Sequence, residues 1–255
     1  MNALVAALLS AVVVLGGCSS DEAPSSPTPS APPAITGLPI RVLMVTTTFG
    51  FRHDSIATAK EVMASLAATS RAFTVTATED LTQLSAANLQ NYDVLFFALT
   101  SGELPLSADQ KSAIVSFVAD GKGFLGTHSA TDTLYEWPDY GRLVGAYFKE
   151  HPWTETATVI VEDASHPAST GIGDRFAIQE EFYTFRENPR PQVRVLLRLD
   201  AASVRANGDY PLAWAHSFGA GRAYYNALGH FPGTWTDQRF QRQLLGAIRW
   251  VGKQE

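Results

Sequence analysis

The chain has 255 residues, of which 45% are hydrophobic, a formal net charge of -6 and one cysteine. Its charges are dispersed, with no stripe of Lys and Arg to neutralise phosphates, so nucleic acid is not an expected partner. The lone Cys18 rules out a disulfide framework and leaves the folded part without a thiol nucleophile.

Residues 3–17 form an apolar run that ends in small residues and leads into Cys18, Ser19 and Ser20. The segment resembles a bacterial lipoprotein signal with Leu15-Gly16-Gly17-Cys18 as its lipobox, although no Lys or Arg precedes the run. Residues 1–18 are therefore expected to be a signal ending at a lipidated Cys18, which would hold the protein to a bacterial membrane in the cell envelope, on the extracytoplasmic side. An uncleaved membrane anchor is the alternative, for which the run is short. Ser19 and Ser20, with no Asp directly after the cysteine, would permit outer-membrane sorting in a Gram-negative cell. Residues 19–37 are rich in Ser, Pro, Ala and Thr and cannot bury a core. They are expected to form an extended linker, on the order of 3 Å per residue. Composition becomes globular at residue 38, and residues 38–255 suffice for one sizeable α/β domain.

Within that domain, residues 40–47 (IRVLMVTT) have the pattern of a strand buried on both faces of a parallel sheet. Asp54 or Ser55 can cap a following helix, whose apolar positions Ile56, Ala59, Val62, Met63 and Leu66 recur at helical spacing. Further strands are predicted over 72–77 and 92–99. Ser107-Ala108-Asp109-Gln110 is a capping box that opens a helix through Val118, stopping near Gly121. Residues 123–126 form a short strand feeding directly into Thr127-His128-Ser129. Later strands are predicted over 155–162, 193–199, 210–217 and 221–227. A closing amphipathic helix over 240–251 is expected to bury Leu244, Leu245, Ile248 and Trp250. This alternation predicts an α/β fold, a doubly wound, mostly parallel sheet with a β-rich second half. Ligands bind beyond the carboxyl ends of such strands, where the phrases at 50–55, 100–103 and 126–132 all fall.

Histidine titrates nearest to working pH and also binds metals, and two of the six histidines, His53 and His128, directly follow predicted strands. The phrases around them, Arg52-His53-Asp54-Ser55-Ile56 and the segment from Gly123 to Thr133, resemble those of the ThuA-like, or trehalose-utilisation, family. So do Trp137-Pro138-Asp139-Tyr140-Gly141, Gly145-Ala146-Tyr147-Phe148 with His151-Pro152, His166-Pro167, Glu181-Phe182-Tyr183 and the run from Gly221 to His230. The resemblance covers essentially all of residues 40–251. It implies a flavodoxin-like fold similar to class I glutamine amidotransferases, in which a Cys on a tight strand-to-helix turn is served by a His and a Glu. Here that turn is Gly126-Thr127-His128-Ser129, without a Cys, so glutaminase chemistry is not expected. The resemblance also implies carbohydrate metabolism, particularly trehalose and related disaccharides, including routes through 3-keto sugars. Two positions depart from the family pattern: Glu180 stands where Asp is common, and Tyr210-Pro211 where His-Pro is common.

His128 is the first candidate for catalysis, projected by a sharp turn beside the amino end of the next helix. Otherwise it serves only to bond the turn backbone. His53 is a second candidate, facing His128, with Arg52 and Asp54 toward substrate; the plainer alternative leaves Asp54 as a cap and Arg52 as a solvated charge. Ser55 reads as a cap rather than a nucleophile. Glu181 and Tyr183 share one strand face, suited to sugar hydroxyls or proton transfer. His230, in a Gly-His-Phe turn, is expected to partner His128, in the place of the amidotransferase His. Asp132, Trp137 and His151 complete the expected substrate-binding set, although His151 also reads as a plain loop residue. His166-Pro167 reads as a surface turn and His216 as half-buried. Tyr140, Trp153 and Trp235, like Trp137, are loop aromatics of the kind that stack on sugar rings. Neutral imidazoles with Glu181 also suit a divalent metal such as zinc. No His-x-x-x-His spacing occurs, so such a site would be assembled from separate loops. The expected protein is thus a lipid-anchored enzyme, a hydrolase or lyase, acting on a small carbohydrate by His/Glu acid–base chemistry. The alternatives are a non-catalytic sugar-binding or envelope interaction module and a metal-dependent hydrolase.

Overall fold

The continuous apolar runs of the first half become the parallel half of one nine-stranded sheet. The computed structural model describes residues 38–254. The expected signal segment, Cys18 and the linker lie outside the described residues. Among the described residues no helix is long and apolar enough to cross a membrane.

The chain begins with β1 (Ile40–Val45), α1 (Ser55–Ser70), β2 (Phe73–Thr78), α2 (Ala86–Leu89), β3 (Val94–Ala98), α3 (Ala108–Ala119), β4 (Gly123–Thr127) and α4 (Pro138–Val144). Then come β5 (Phe148–Val161), β6 (Arg175–Phe185), β7 (Arg194–Leu199), β8 (Pro211–Phe218), β9 (Gly221–Asn226), α5 (Pro232–Thr236) and α6 (Gln238–Val251). The strand order is β2-β1-β3-β4-β9-β8-β7-β5-β6. Pairings from β2 through to β9 are parallel, and those from β9 to β6 are antiparallel. The doubly wound, mostly parallel first half and β-rich second half are therefore present, consistent with a flavodoxin-like, class I glutamine amidotransferase-like fold.

Every residue of β3 and β4 is buried, as strands covered by helices on both faces require. The capping box at Ser107 and Gln110 forms and starts α3. Register places Ala98 beside Thr127, and Thr127 beside Asn226, so the carboxyl ends of β3, β4 and β9 share one edge. Just behind that edge, Asn226 donates to Gln243 of α6 at 2.7 Å.

Four expectations change. Strand β5 starts at Phe148 rather than at 155, and the ladder with β6 shifts register between Phe148 and Trp153. On α6 the buried stripe is Phe240, Gln243, Leu244, Ala247, Ile248 and Val251, leaving Leu245 and Trp250 half-buried. His166 is not on a surface turn: it is buried, packs its ring 4.7 Å from that of Trp250, and accepts at Nδ1 from the Ala168 N–H. Ser55 is not the cap of α1; it is the buried first helical residue and donates to the Gly229 carbonyl at 3.0 Å. Asp54 occupies the cap position, but its side chain makes no capping bond.

Candidate functional site

The edge formed by the ends of β1, β4 and β9 gathers three imidazoles. His128 closes β4 at φ 49, a left-handed conformation unusual for a side-chain-bearing residue, and opens a single 3₁₀ turn over His128–Thr131. The Tyr225 hydroxyl donates to its carbonyl at 2.7 Å. Its Nδ1–H donates to the carbonyl of Ala227 at 2.8 Å, which leaves Nε2 facing the cluster. The expected helix amino end is that short 3₁₀ turn rather than an α-helix, since α4 does not begin until Pro138. The Ala227 carbonyl fixes the orientation of this ring.

His230 follows Gly229, whose φ of 129 suits glycine alone. This turn is held from below by Glu180, which is fully buried. Its carboxylate accepts from the Gly229 and His230 N–H groups at 2.9 and 3.3 Å and from the Thr234 hydroxyl. Trp235 and Ser55 both donate to the Gly229 carbonyl. Glu180 was singled out in the sequence only as a departure from the family pattern. Its role as the mount of the His230 turn depends on pairing with a loop some fifty residues away, which no local spacing encodes.

Strand β6 delivers Glu181 and Tyr183 on the expected shared face. The Tyr183 hydroxyl lies 3.0 Å from His128 Nε2. Glu181 Oε2 lies 3.5 Å from the same nitrogen and 3.1 Å from His230 Nδ1. His128 Nε2 and His230 Nδ1 are 3.2 Å apart. His53 is 5% exposed and sets its ring edge-on to both, with centroids 4.7 and 5.1 Å away. The metal-capable atoms of His53, His128, Glu181 and His230 all lie within 4.8 Å of one another. His151 joins through Nδ1, 3.2 Å from Glu181 Oε1. It is on β5 within the register shift rather than in a loop, and such an irregularity re-aims a side chain.

These contacts set the charges. Burial, with the charges of His128 and His230 second, pushes His53 down to about 3, so it stays neutral. Burial alone would raise Glu181, but hydrogen bonds from His128 and His230 outweigh it and hold the carboxyl well below the usual range. His230 is raised: burial lowers it, and the hydrogen bond and charge of Glu181 more than compensate. Burial raises Tyr183 far above the ordinary phenol value, so it remains a donor. Asp132 is raised by burial, against the hydrogen bond from Tyr135.

Above His53, Glu181 and His230, with His128 buried beneath them, opens a hollow of about 270 Å³ that is lined also by Asp132, Tyr183, His151, Phe51 and Phe148. Three expected substrate-binding residues are not there. Arg52 forks onto Glu79 at 3.0 and 2.9 Å, beside Lys60, and points away from the site. Asp54 is exposed and does not line the hollow, although its charge helps raise His230. Trp137 stacks on Tyr140 and borders a separate surface depression with Lys111. Of the other aromatics, Tyr140 and Trp235 are buried and Trp153 packs on Tyr210. Besides Tyr183, the aromatics that line the hollow are Phe51 and Phe148, which no sequence signal singles out.

No curated protein matches the chain in sequence. Among solved structures, a putative ThuA-like protein from Bacteroides uniformis ATCC 8492 superposes with a TM-score of 0.72 at 22% identity, covering 87% of this chain and 95% of its own. A putative ThuA-like protein from Parabacteroides merdae ATCC 43184 gives 0.69 at 18% identity, covering 84% and 90%. A β-galactosidase from Bacillus circulans sp. alkalophilus shares the fold over 82% of this chain but only 30% of its own, with a TM-score of 0.55 at 12% identity. The model of the ThuA family, described as trehalose utilisation, matches residues 41–251, and the chain belongs to that family.

Proposed function

We propose that this ThuA-family protein is a carbohydrate-active enzyme, a hydrolase or lyase acting on a glycoside or keto-sugar by acid–base chemistry without a covalent nucleophile. The carrying observation is the convergence of three imidazoles and a carboxylate, all within 4.8 Å, with His53, His230 and Glu181 lining one small hollow and His128 buried beneath them. The family's description as trehalose utilisation supplies the substrate class.

The same four groups fit a divalent cation. His128 is fixed with Nε2 inward by the Ala227 carbonyl, His53 is neutral, and Glu181 is ionised. Three nitrogens and one oxygen from His53, His128, His230 and Glu181 are a donor set that zinc accepts. A bound ion of this kind supplies Lewis acidity toward a substrate oxygen.

In the reading with no ion on these atoms, the protein's own groups divide the proton work. His128 Nε2 is placed to accept a proton, and His230, raised by Glu181, to give one. Tyr183 and Asp132 offer hydrogen bonds to sugar hydroxyls. In a 3-keto glycoside the hydrogen next to the carbonyl is acidic. Its transfer to His128, with proton donation from His230 to the departing glycosidic oxygen, achieves elimination with no intermediate attached to the protein.

The test is to assay the purified full chain on trehalose and its 3-keto form, with metal analysis and chelator treatment alongside. Turnover that H128A abolishes supports the proposal. Sugar binding with no product would mark a non-catalytic module instead. We further propose that lipidation of Cys18 tethers the domain in the cell envelope. C18A should release the protein from the membrane fraction.

A further inference from the structure

The floor of the hollow is polar, and its walls are aromatic. From the β5–β6 ribbon come Phe148 and Tyr183, with ring centroids 4.3 Å apart, and His151, stacked on Phe148 at 5.9 Å. From the loop after β1 comes Phe51, edge-on to His53 at 4.8 Å. Phe51 differs from the others in exposure. It is 63% exposed and Phe49, two residues earlier, is 60% exposed; with Leu38 these are the exposed large hydrophobics among the described residues.

The loop that displays them is fixed. Phe49 and Gly50 N–H groups donate to the Ser101 carbonyl at 2.8 and 3.2 Å, and the Ser101 hydroxyl donates to the Phe51 carbonyl at 2.6 Å. Gly102, at φ 76, lets the two loops meet backbone to backbone, since a Cβ there would lie 2.5 Å from the Gly50 nitrogen. Phe51 is therefore held out beside the mouth instead of collapsing onto the domain. An exposed apolar surface rimmed by polar groups at a cavity mouth is the mark of a ligand contact.

Size decides which part of a ligand it meets. The hollow, at about 270 Å³, falls just under the roughly 300–1,000 Å³ of typical small-molecule sites. One sugar ring fits over the histidines, and a second ring must lie outside the mouth, on the Phe51 side or over open solvent. A pyranose presents a face of C–H bonds, which the negative face of an aromatic ring attracts, while its hydroxyls stay in water at the edge. Resting on the carbohydrate function proposed above, the geometry points to Phe51 as an aromatic platform for the second ring of a disaccharide, a subsite beside the histidine centre. Phe49 does not line the hollow and provides a control of equal exposure.

The test compares wild type with F51A, F51L, F51W and F49A in the full chain. Binding and turnover are measured for trehalose and methyl α-glucopyranoside, each also in its 3-keto form. F51A and F51L should weaken the disaccharide by about tenfold, the scale of one aromatic contact. F51W should restore it, and F49A should match wild type. The methyl glycosides, which lack a second ring, should be unaffected throughout. The platform is overturned if F51A binds the disaccharide as tightly as wild type does. It is equally overturned if F51A loses both ligand types alike, which would mean damage to His53, or if F49A loses as much as F51A. If wild type handles no sugar of either size, the proposed function itself has failed, and the platform with it.

Discussion

The two halves of the sheet contribute to the site in different ways. The parallel half offers strand ends: β1 leads to His53 and β4 stops at His128, each placed by the alternation of strand and helix. The antiparallel half offers a strand face and a register shift: Glu181 and Tyr183 point in from β6, and His151 is turned toward them by the irregular β5–β6 ladder. The parallel half thus fixes where chemistry can occur, and the antiparallel half fixes what charge the histidines meet there. Neither half is a site alone, because Glu181 is the group that bonds both His128 and His230.

The largest expected effect tests that division directly. H128A and E181Q, one from each half, should each lower turnover on the order of 100-fold or more. The double variant should fall little further, because residues that act as a unit lose their effect together. Additive losses would show two independent contributions and break the comparison. Next in size is E180A, which strips the acceptor from the N–H groups of Glu181, Gly229 and His230 and from the Thr234 hydroxyl. It should cost about 3 kcal/mol in denaturant unfolding, and E180Q less. Activity should fall with it, because the His230 turn loses its mount. S55A removes only the bond to the Gly229 carbonyl and should cost about 1 kcal/mol.

The smallest effect sharpens the contrast from the parallel side, away from the cluster. Hydrogen bonds from Arg52 and Lys60 hold Glu79 down to about 2, against an ordinary value of 4.5. A carboxylate lowered on folding adds stability above its unfolded pKa and loses it as pH falls through the folded one. The loss should therefore develop between pH 4.5 and 2, and E79Q should flatten it. The pair is part-exposed, so solvent screening keeps the effect to a few tenths of a kcal/mol. An E79Q variant that also lost activity would return Arg52 to the site.

What the sequence made legible follows the same division. The apolar runs of β1, β3 and β4 read directly as buried strands, and Ser107 with Gln110 read directly as a cap, because those signals are local. His53 and His128 were found because a residue just past a buried parallel strand has only one edge to occupy. Glu181 and Tyr183 were found because alternation shows a shared face. Arg52 and Trp137 do not reach the site: the partner of Arg52, Glu79, becomes visible only through folding, and Trp137 packs on its neighbour Tyr140 beside a separate depression. Glu180 and His166 were underrated for the same reason: their burial comes from the loop at Gly229 and from α6, both distant in the chain. The aromatic walls, Phe51 and Phe148, carried no periodic signal at all, and only the assembled hollow distinguishes them from ordinary loop phenylalanines.

Ala227, whose carbonyl receives the His128 Nδ1–H, is the first residue after β9. Strand β9 is also the seam, parallel to β4 on one side and antiparallel to β8 on the other. Sliding that seam by one position would carry the oxygen away and free the imidazole to turn over. The architecture therefore ties folding to chemistry: the register that buries Tyr224 and Tyr225 is also the one that sets which nitrogen of His128 faces the cluster.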